Sequence, residues 1–276
     1  MPPAAAALMQ GPTRTGVRQP RDLISDGFLL PGGSMSMKGF ILVLCAAVVG
    51  LLAGCDFFPL VQGSGYLTTS TCNFTDFSTI AATQACRVHV VPDTAYSVRV
   101  TCDDNLLPNL EVRRNGAGSV LIGLAQGNNY HGITFNAEVH MPVLVGLDLS
   151  GASEARVDSG FTSTQPLDVT LSGASLADIK GLSCTAVNAD LSGASSLSIG
   201  GTTTSETVTV SGASTANLLS CAAARATVIV SGASEAWIHA GQISLSASGA
   251  STLYYAGNPL IQTNNLSGAS QLVKVY

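Results

Sequence analysis

The chain has 276 residues, 46% apolar and only 11% charged, with 29 glycines and 7 cysteines. Its net charge is −5, and from Asp56 onward 8 Lys and Arg face 15 Asp and Glu, so there is no basic stripe to bind nucleic acid. Low charge with abundant Ser, Thr, Gly and small apolar residues fits an all-β solenoid better than a helical bundle.

Residues 1–34 are rich in Ala, Pro, Gly and Arg without periodicity, and read as disordered or as sequence upstream of the true start. Met35 or Met37 is the better initiator, because residues 35–54 have the layout of an export signal. Lys38 supplies its positive start and Phe40 to Leu52 its apolar stretch, too short to span a membrane. The stretch ends in Leu52-Ala53-Gly54-Cys55, which resembles the lipobox of bacterial lipoproteins. That resemblance implies cleavage before Cys55 and acylation of its thiol and new amino group. Several acyl chains anchor stably where one is marginal. Residues 55–66 then read as a tether, and residues 67–276 as the folded domain.

Arg87 to Val91 and Tyr96 to Thr101 alternate around Pro92-Asp93-Thr94, the pattern of two strands joined by a turn. Cys86 and Cys102 lie symmetrically about that turn. In an exported, oxidising setting they are the preferred disulfide, with Cys72–Cys86 as the alternative. Cys184 and Cys221 fall two repeats apart, too far for a bridge, and are expected to be free, buried and inert.

The last half of the chain is organised by seven copies of Ser-Gly-Ala-Ser, beginning at Ser150, Ser172, Ser192, Ser211, Ser231, Ser248 and Ser267. The intervals are 22, 20, 19, 20, 17 and 19 residues. Just before each copy stands Leu149, Leu171, Leu191, Val210, Val230, Ala247 or Leu266. Five residues after its first Ser stands Ala155, Ala177, Leu197, Ala216, Ala236, Leu253 or Leu272. Apolar and polar residues alternate on both sides of the phrase, the period of a half-buried strand. A unit of some 20 residues cannot bury its apolar face alone, so copies must stack, each strand pairing in parallel with its equivalent in the next coil. Gly at each corner serves a positive φ or a close approach between coils. The variable lengths are expected in returns that project on one side. By parity Ser153, Ser175, Ser195, Ser214, Ser234, Ser251 and Ser270 form an inward structural ladder, their hydroxyls partnered by neighbouring coils. Seven equivalent serines are a scaffold, since nucleophilic catalysis needs one activated group.

Upstream of the repeats, Ser97 to Cys102 leads into Asp103-Asp104-Asn105-Leu106-Leu107-Pro108. Leu110-Glu111-Val112, Leu121 to Leu124 and Met141-Pro142-Val143-Leu144 follow. This order, with the Ser-Gly-Ala repeats, resembles the "putative auto-transporter adhesin, head GIN" domain family over about Thr75 to Val275. The resemblance implies a right-handed parallel β-helix in the cell envelope and carries over no catalytic residue.

Candidate chemistry is sparse. Asp148 and Asp190 share one register position two coils apart, within the range used by inverting glycosidases. Neither aromatic platforms nor a cation cluster accompany them, although Arg156 lies near one end. Glu154 and Glu235 share another position, four coils apart. His89, His131, His140 and His239 have no metal spacing, and Asp103-Asp104-Asn105 reads as a turn sooner than a calcium loop. No cofactor or metal is expected. Trp237 and Tyr254 point outward at one phase in adjacent coils, with Tyr255 beside them. They are the candidate contact patch, or else a cross-strand pair protecting the sheet. The combined expectation is a non-enzymatic, lipid-anchored envelope β-helix with an adhesion or structural role, contacting envelope proteins or polysaccharide. The alternatives are a polysaccharide-acting enzyme and a periplasmic binding or sensor module.

Overall fold

The computed structural model describes residues 58–116 and 118–275. The segment read as an export signal and the lipidation candidate Cys55 lie outside the described residues. The strands, in chain order, are β1 (Leu60–Gln62), β2 (Leu67–Cys72), β3 (Thr79–Ala82), β4 (Arg87–Pro92), β5 (Ser97–Asp103), β6 (Leu110–Arg114) and β7 (Ser119–Leu124). They continue with β8 (Asn129–His131), β9 (Phe135–Met141), β10 (Gly146–Leu149), β11 (Glu154–Val157), β12 (Leu167–Leu171) and β13 (Leu176–Leu191). The last are β14 (Ser196–Val210), β15 (Thr215–Val230), β16 (Glu235–Ala247), β17 (Thr252–Tyr255), β18 (Leu260–Leu266) and β19 (Gln271–Lys274). A 3₁₀ turn at Asp104–Asn109 is the one helical element among the described residues.

The expected solenoid is present, with the repeats stacked in parallel and in register. On one side Leu149 pairs with Leu171, then Leu191, Val210, Val230, Ala247 and Leu266 in succession. On the next side Ala155 leads through Ala177, Leu197, Ala216, Ala236 and Leu253 to Leu272. Nearly all of these side chains are buried, so each apolar position of the repeat becomes a column in one continuous core. Every fully buried Leu, Ile or Val contributes about 1.5–3 kcal/mol of transfer free energy.

The returns differ from the expectation. β13 to β16 run 13 to 16 residues without a break and wrap around two corners of the coil. Their middle portions pair as a third side, Leu182 with Gly201 and Gly201 with Cys221. The length differences are taken up by register shifts just before that side, between Ile179 and Leu182, Ser198 and Gly200, and Leu218 and Ala222. An extended return satisfies its backbone groups on the coils above and below, which a projecting loop would leave to water.

The corners explain the phrase itself. Gly173 has φ +72°, and a Cβ on it would lie 2.4 Å from the Gly151 carbonyl oxygen. That oxygen accepts a hydrogen bond from the Ala174 amide at 2.8 Å. Small size and left-handed φ are needed at the same position, and only glycine offers both. Six members of the serine ladder, Ser153 to Ser251, are buried, and Ser270 in the last coil is half-buried. Their partners are mostly nearer than expected. The hydroxyls of Ser153, Ser175, Ser195 and Ser251 each donate to the carbonyl three residues earlier, at 2.8–2.9 Å. Bonds between coils also occur, as in Ser234 to the Gly212 carbonyl at 3.2 Å.

The coil before the first phrase keeps the geometry with other residues. Ala82 pairs with Leu149 and Val88 with Ala155, so Thr83-Gln84-Ala85-Cys86 stands where later coils have Ser-Gly-Ala-Ser. Gln84 and Ala85 both take positive φ there, and Cys86 occupies the foot of the serine ladder, fully buried. Antiparallel strands close this end of the stack: β6 pairs with β7 as a hairpin, and β2 pairs with β5. At the far end two of the inward columns finish in Asn264 and Lys274, polar residues that help the last coil face water.

Two N-terminal expectations are corrected. β4 and β5 do not pair as a hairpin, because β9 lies between them, parallel to β4 and antiparallel to β5. Cys86 and Cys102 therefore flank Phe135 from opposite sides, about two strand spacings or roughly 9.6 Å apart, beyond disulfide reach. Cys72, Cys86, Cys102, Cys184 and Cys221 are all free thiols; Cys72 pairs with Val98, at the other end of β5 from Cys102, so Cys72 and Cys86 are also too far apart to bridge. The segment read as a tether is docked from Leu60 onward: β1 pairs with β8, and Ser64 to Tyr66 are held by Asp103 and its neighbours.

Candidate interaction face

Sheet pairing brings widely separated residues into one outward column. Arg99 pairs with Glu138, Glu138 with His89, and His89 with Arg156. The column continues through Asp178, Ser198, Asn217, Trp237 and Tyr254 to Val273. The alternation that buries Val88, Val90, Ala155 and Val157 turns these side chains outward.

At the N-terminal end of the column is an open groove of about 640 Å³ over β5, β9, β4 and β11. Arg87, His89, Arg99, Glu138, Glu154 and Arg156 line it, with Thr101 and Asn136. Arg87 Nε lies 3.6 Å from Glu154 Oε2, and Arg99 Nη1 lies 3.7 Å from Glu138 Oε2. Both pairs are loose and solvent-exposed, of the kind that contributes little to stability, and neither uses the paired donors of the guanidinium fork. His89 Nε2 and Asp158 Oδ2 lie 2.9 Å apart. Arg156 has no carboxylate within salt-bridge distance among the described residues.

Four strands further along the column, about 19 Å at the usual spacing, Trp237 stacks on Tyr254. Their ring centroids are 3.9 Å apart and their planes differ by 17°. Each ring covers a face of the other and leaves its edge half-exposed. The two residues read from the sequence as a contact patch or a cross-strand pair are therefore stacked on this face, the arrangement of a cross-strand pair. Tyr255 is not part of it: it continues the inward column of Ile238.

The other sequence candidates divide between faces. Asp148 and Asp190 are aligned through Thr170 as expected, about 9.6 Å apart, on the Leu149 side of the coil. Burial pushes the Asp148 carboxyl above its ordinary value. Asp190 lines a separate shallow groove with Asp168, whose carboxylate accepts a hydrogen bond from Asn188 at 2.8 Å. Arg156 stands on a different side from both aspartates, so the cation nearest in sequence does not serve them.

Asp103-Asp104-Asn105 is a clamp built into the fold. The buried Asp103 carboxylate accepts hydrogen bonds from the Gly65 amide at 2.7 Å and the Thr134 amide at 2.6 Å. Asp104 accepts from the Ser64 hydroxyl at 2.6 Å, while Asn105 accepts from the Ser64 amide and donates to the Gln62 carbonyl. These oxygens are spent on the segment leading into β2. No group of three or more His, Cys, Asp or Glu among the described residues is arranged to hold a metal.

Sequence reasoning missed Glu206. It faces inward at 1% exposure, between Val187 and Ala226 in its column. Neither carboxyl oxygen makes a hydrogen bond of acceptable geometry, although the Cys221 and Cys184 thiols feel its charge. Burial raises its pKa to about 8 and pushes the Cys221 thiol up as well. The signal was available: Glu206 shares parity with the buried Val208 and Val210.

Several solved structures share this architecture. A "putative adhesin" from Bacteroides fragilis NCTC 9343 aligns over 78% of this chain and 100% of its own, with TM-score 0.71 and 18% identity. A "putative adhesin" from Parabacteroides merdae ATCC 43184 covers 79% and 100%, with TM-score 0.60 and 16% identity. A "putative lipid binding protein" from Parabacteroides distasonis ATCC 8503 covers 79% and 100%, with TM-score 0.59 and 19% identity. At these identities the likeness is one of fold. No curated protein matches the chain. The family model described as "Putative auto-transporter adhesin, head GIN domain" matches residues 76–259, from just before β3 to just before β18, and the chain belongs to that family.

Proposed function

We propose that this protein is an exported, lipid-anchored component of a bacterial cell envelope that works by contact and not by turnover. The outward column from Arg99 to Tyr254 is its contact face. That column is the observation that carries the reading: nine successive strands align charged, polar and aromatic side chains along one side. Membership of a family described as adhesin supports an adhesive role. The lipobox-like Leu52-Ala53-Gly54-Cys55 supports the anchor, and in sequence Cys55 stands five residues before β1. Metabolic labelling with radioactive palmitate tests the anchor: the wild type takes up label and fractionates with membranes, and Cys55→Ala does neither. Equal label in both ends the proposal of an anchor at Cys55.

A further inference from the structure

Three of the six arginines in residues 58–275 converge on the groove over β5, β9, β4 and β11, in a region whose overall charge is strongly negative. Arg87 and Arg99 make only single, loose contacts to carboxylates, and Arg156 makes none among the described residues, so guanidinium donors remain free on three sides. A guanidinium fork matches a planar carboxylate through two parallel hydrogen bonds. Glu138 and Glu154 stand within the same groove, keeping its net charge small. Single charges spaced along a ligand suit that balance better than the concentrated double charge of a phosphate, which the two carboxylates would repel. The carboxylates, Thr101 and Asn136 also accept hydrogen bonds, which suits a ligand dense in hydroxyl donors.

The sheet limits the mode of recognition as well. β9 is paired on both edges, by β5 and β4, and β4 is paired by β9 and β11. No backbone edge is free in the groove, so an extended peptide has no strand to join. Recognition rests on side chains alone, along a surface that repeats every strand in the direction of the coil axis.

We propose that this groove binds a carboxylate-bearing glycan, with Arg156, Arg87 and Arg99 on its uronate groups and Asn136, Thr101, Glu138 and Glu154 on its hydroxyls. The proposal deepens the contact reading and rests on it. The test is calorimetric titration of the full chain in detergent, at low salt, with an oligogalacturonate, its fully methyl-esterified form, and inorganic phosphate. The oligogalacturonate binds, and Arg99→Gln with Arg156→Gln weakens it at least tenfold. Arg156→Lys, which keeps the charge but loses the fork, weakens it by a smaller factor. These side chains are exposed, and matching thermal unfolding curves show that the variants keep the fold. The ester does not bind, and phosphate does not compete. Equal binding of the ester, unchanged affinity in the double variant, or competition by phosphate overturns the assignment. Absence of binding with the oligosaccharide intact overturns the glycan but leaves the contact reading standing. Shortening of the oligosaccharide overturns the contact reading instead.

Discussion

Gly212 sits directly on Gly193: a Cβ on Gly212 would lie 2.4 Å from the Gly193 carbonyl oxygen, which accepts the Ala213 amide at 2.8 Å. The same contact recurs at Gly173, Gly193, Gly232, Gly249 and Gly268, so the coils meet at this corner backbone against backbone. Gly212→Ala adds a left-handed φ strain of about 1–3 kcal/mol to that clash, for an expected loss of at least about 2 kcal/mol. Ala213→Ser, with an exposed side chain, changes stability by less than about 0.5 kcal/mol. Urea unfolding of both variants measures the difference.

Much of this was legible in advance. The phrase fixes the corners, and alternation on both sides of it assigns inward and outward positions that the register reproduces. The third side was not legible, because residues such as Gly200-Gly201-Thr202-Thr203 are small and polar and read as loop. Their order comes from pairing between coils, which local pattern does not encode. The apparent hairpin at Pro92-Asp93-Thr94 failed for a related reason. A turn between two alternating segments looks alike whether they pair with each other or admit a third strand, and β9 came from some 35 residues downstream. The groove was invisible for the same cause: Arg87, Arg99 and Arg156 meet only once β9 is in place.

Glu206 links stability to pH. Its ordinary pKa of 4.5 rises to about 8 in the fold. Below 4.5 the carboxyl is protonated in both folded and unfolded chains, and the linked penalty is absent. Between 4.5 and about 8 only the unfolded chain ionises, so stability falls by roughly 1.4 kcal/mol per pH unit. Above about 8 the penalty is constant. Glu206→Gln removes this slope, and Glu206→Leu is more stable than wild type at pH 8. Chemical unfolding at pH 5, 7 and 9 reads the effect; parallel curves for wild type and Glu206→Gln would refute it.

Asp103 holds two chain segments together from a buried position. Asp103→Ala leaves the part-buried Gly65 and Thr134 amides without their charged acceptor, at a cost of about 1–3 kcal/mol. Hydrogen exchange at these two amides accelerates, while exchange in β13 to β16 stays slow in conditions where the chain remains folded. Uniform acceleration through the solenoid would contradict a local clamp.

Trp237 and Tyr254 stack across adjacent coils, and such a pair contributes about 0.5–1.5 kcal/mol beyond its burial. A double-mutant cycle with Trp237→Ala and Tyr254→Ala is expected to show coupling of about 1 kcal/mol in thermal or urea unfolding. Coupling near zero would mean that the rings are held apart in solution.

The central claim is that one side of the solenoid makes the functional contact. Hydroxyl-radical footprinting of the full chain, on intact envelopes against the detergent-solubilised protein, measures it directly. The account predicts protection of Trp237, Tyr254 and His89 along the shared column, with Asp168, Thr170 and Asp190 on the Leu149 side as reactive as in detergent. Protection confined to the Leu149 side, or equal reactivity of the column in both preparations, would contradict it.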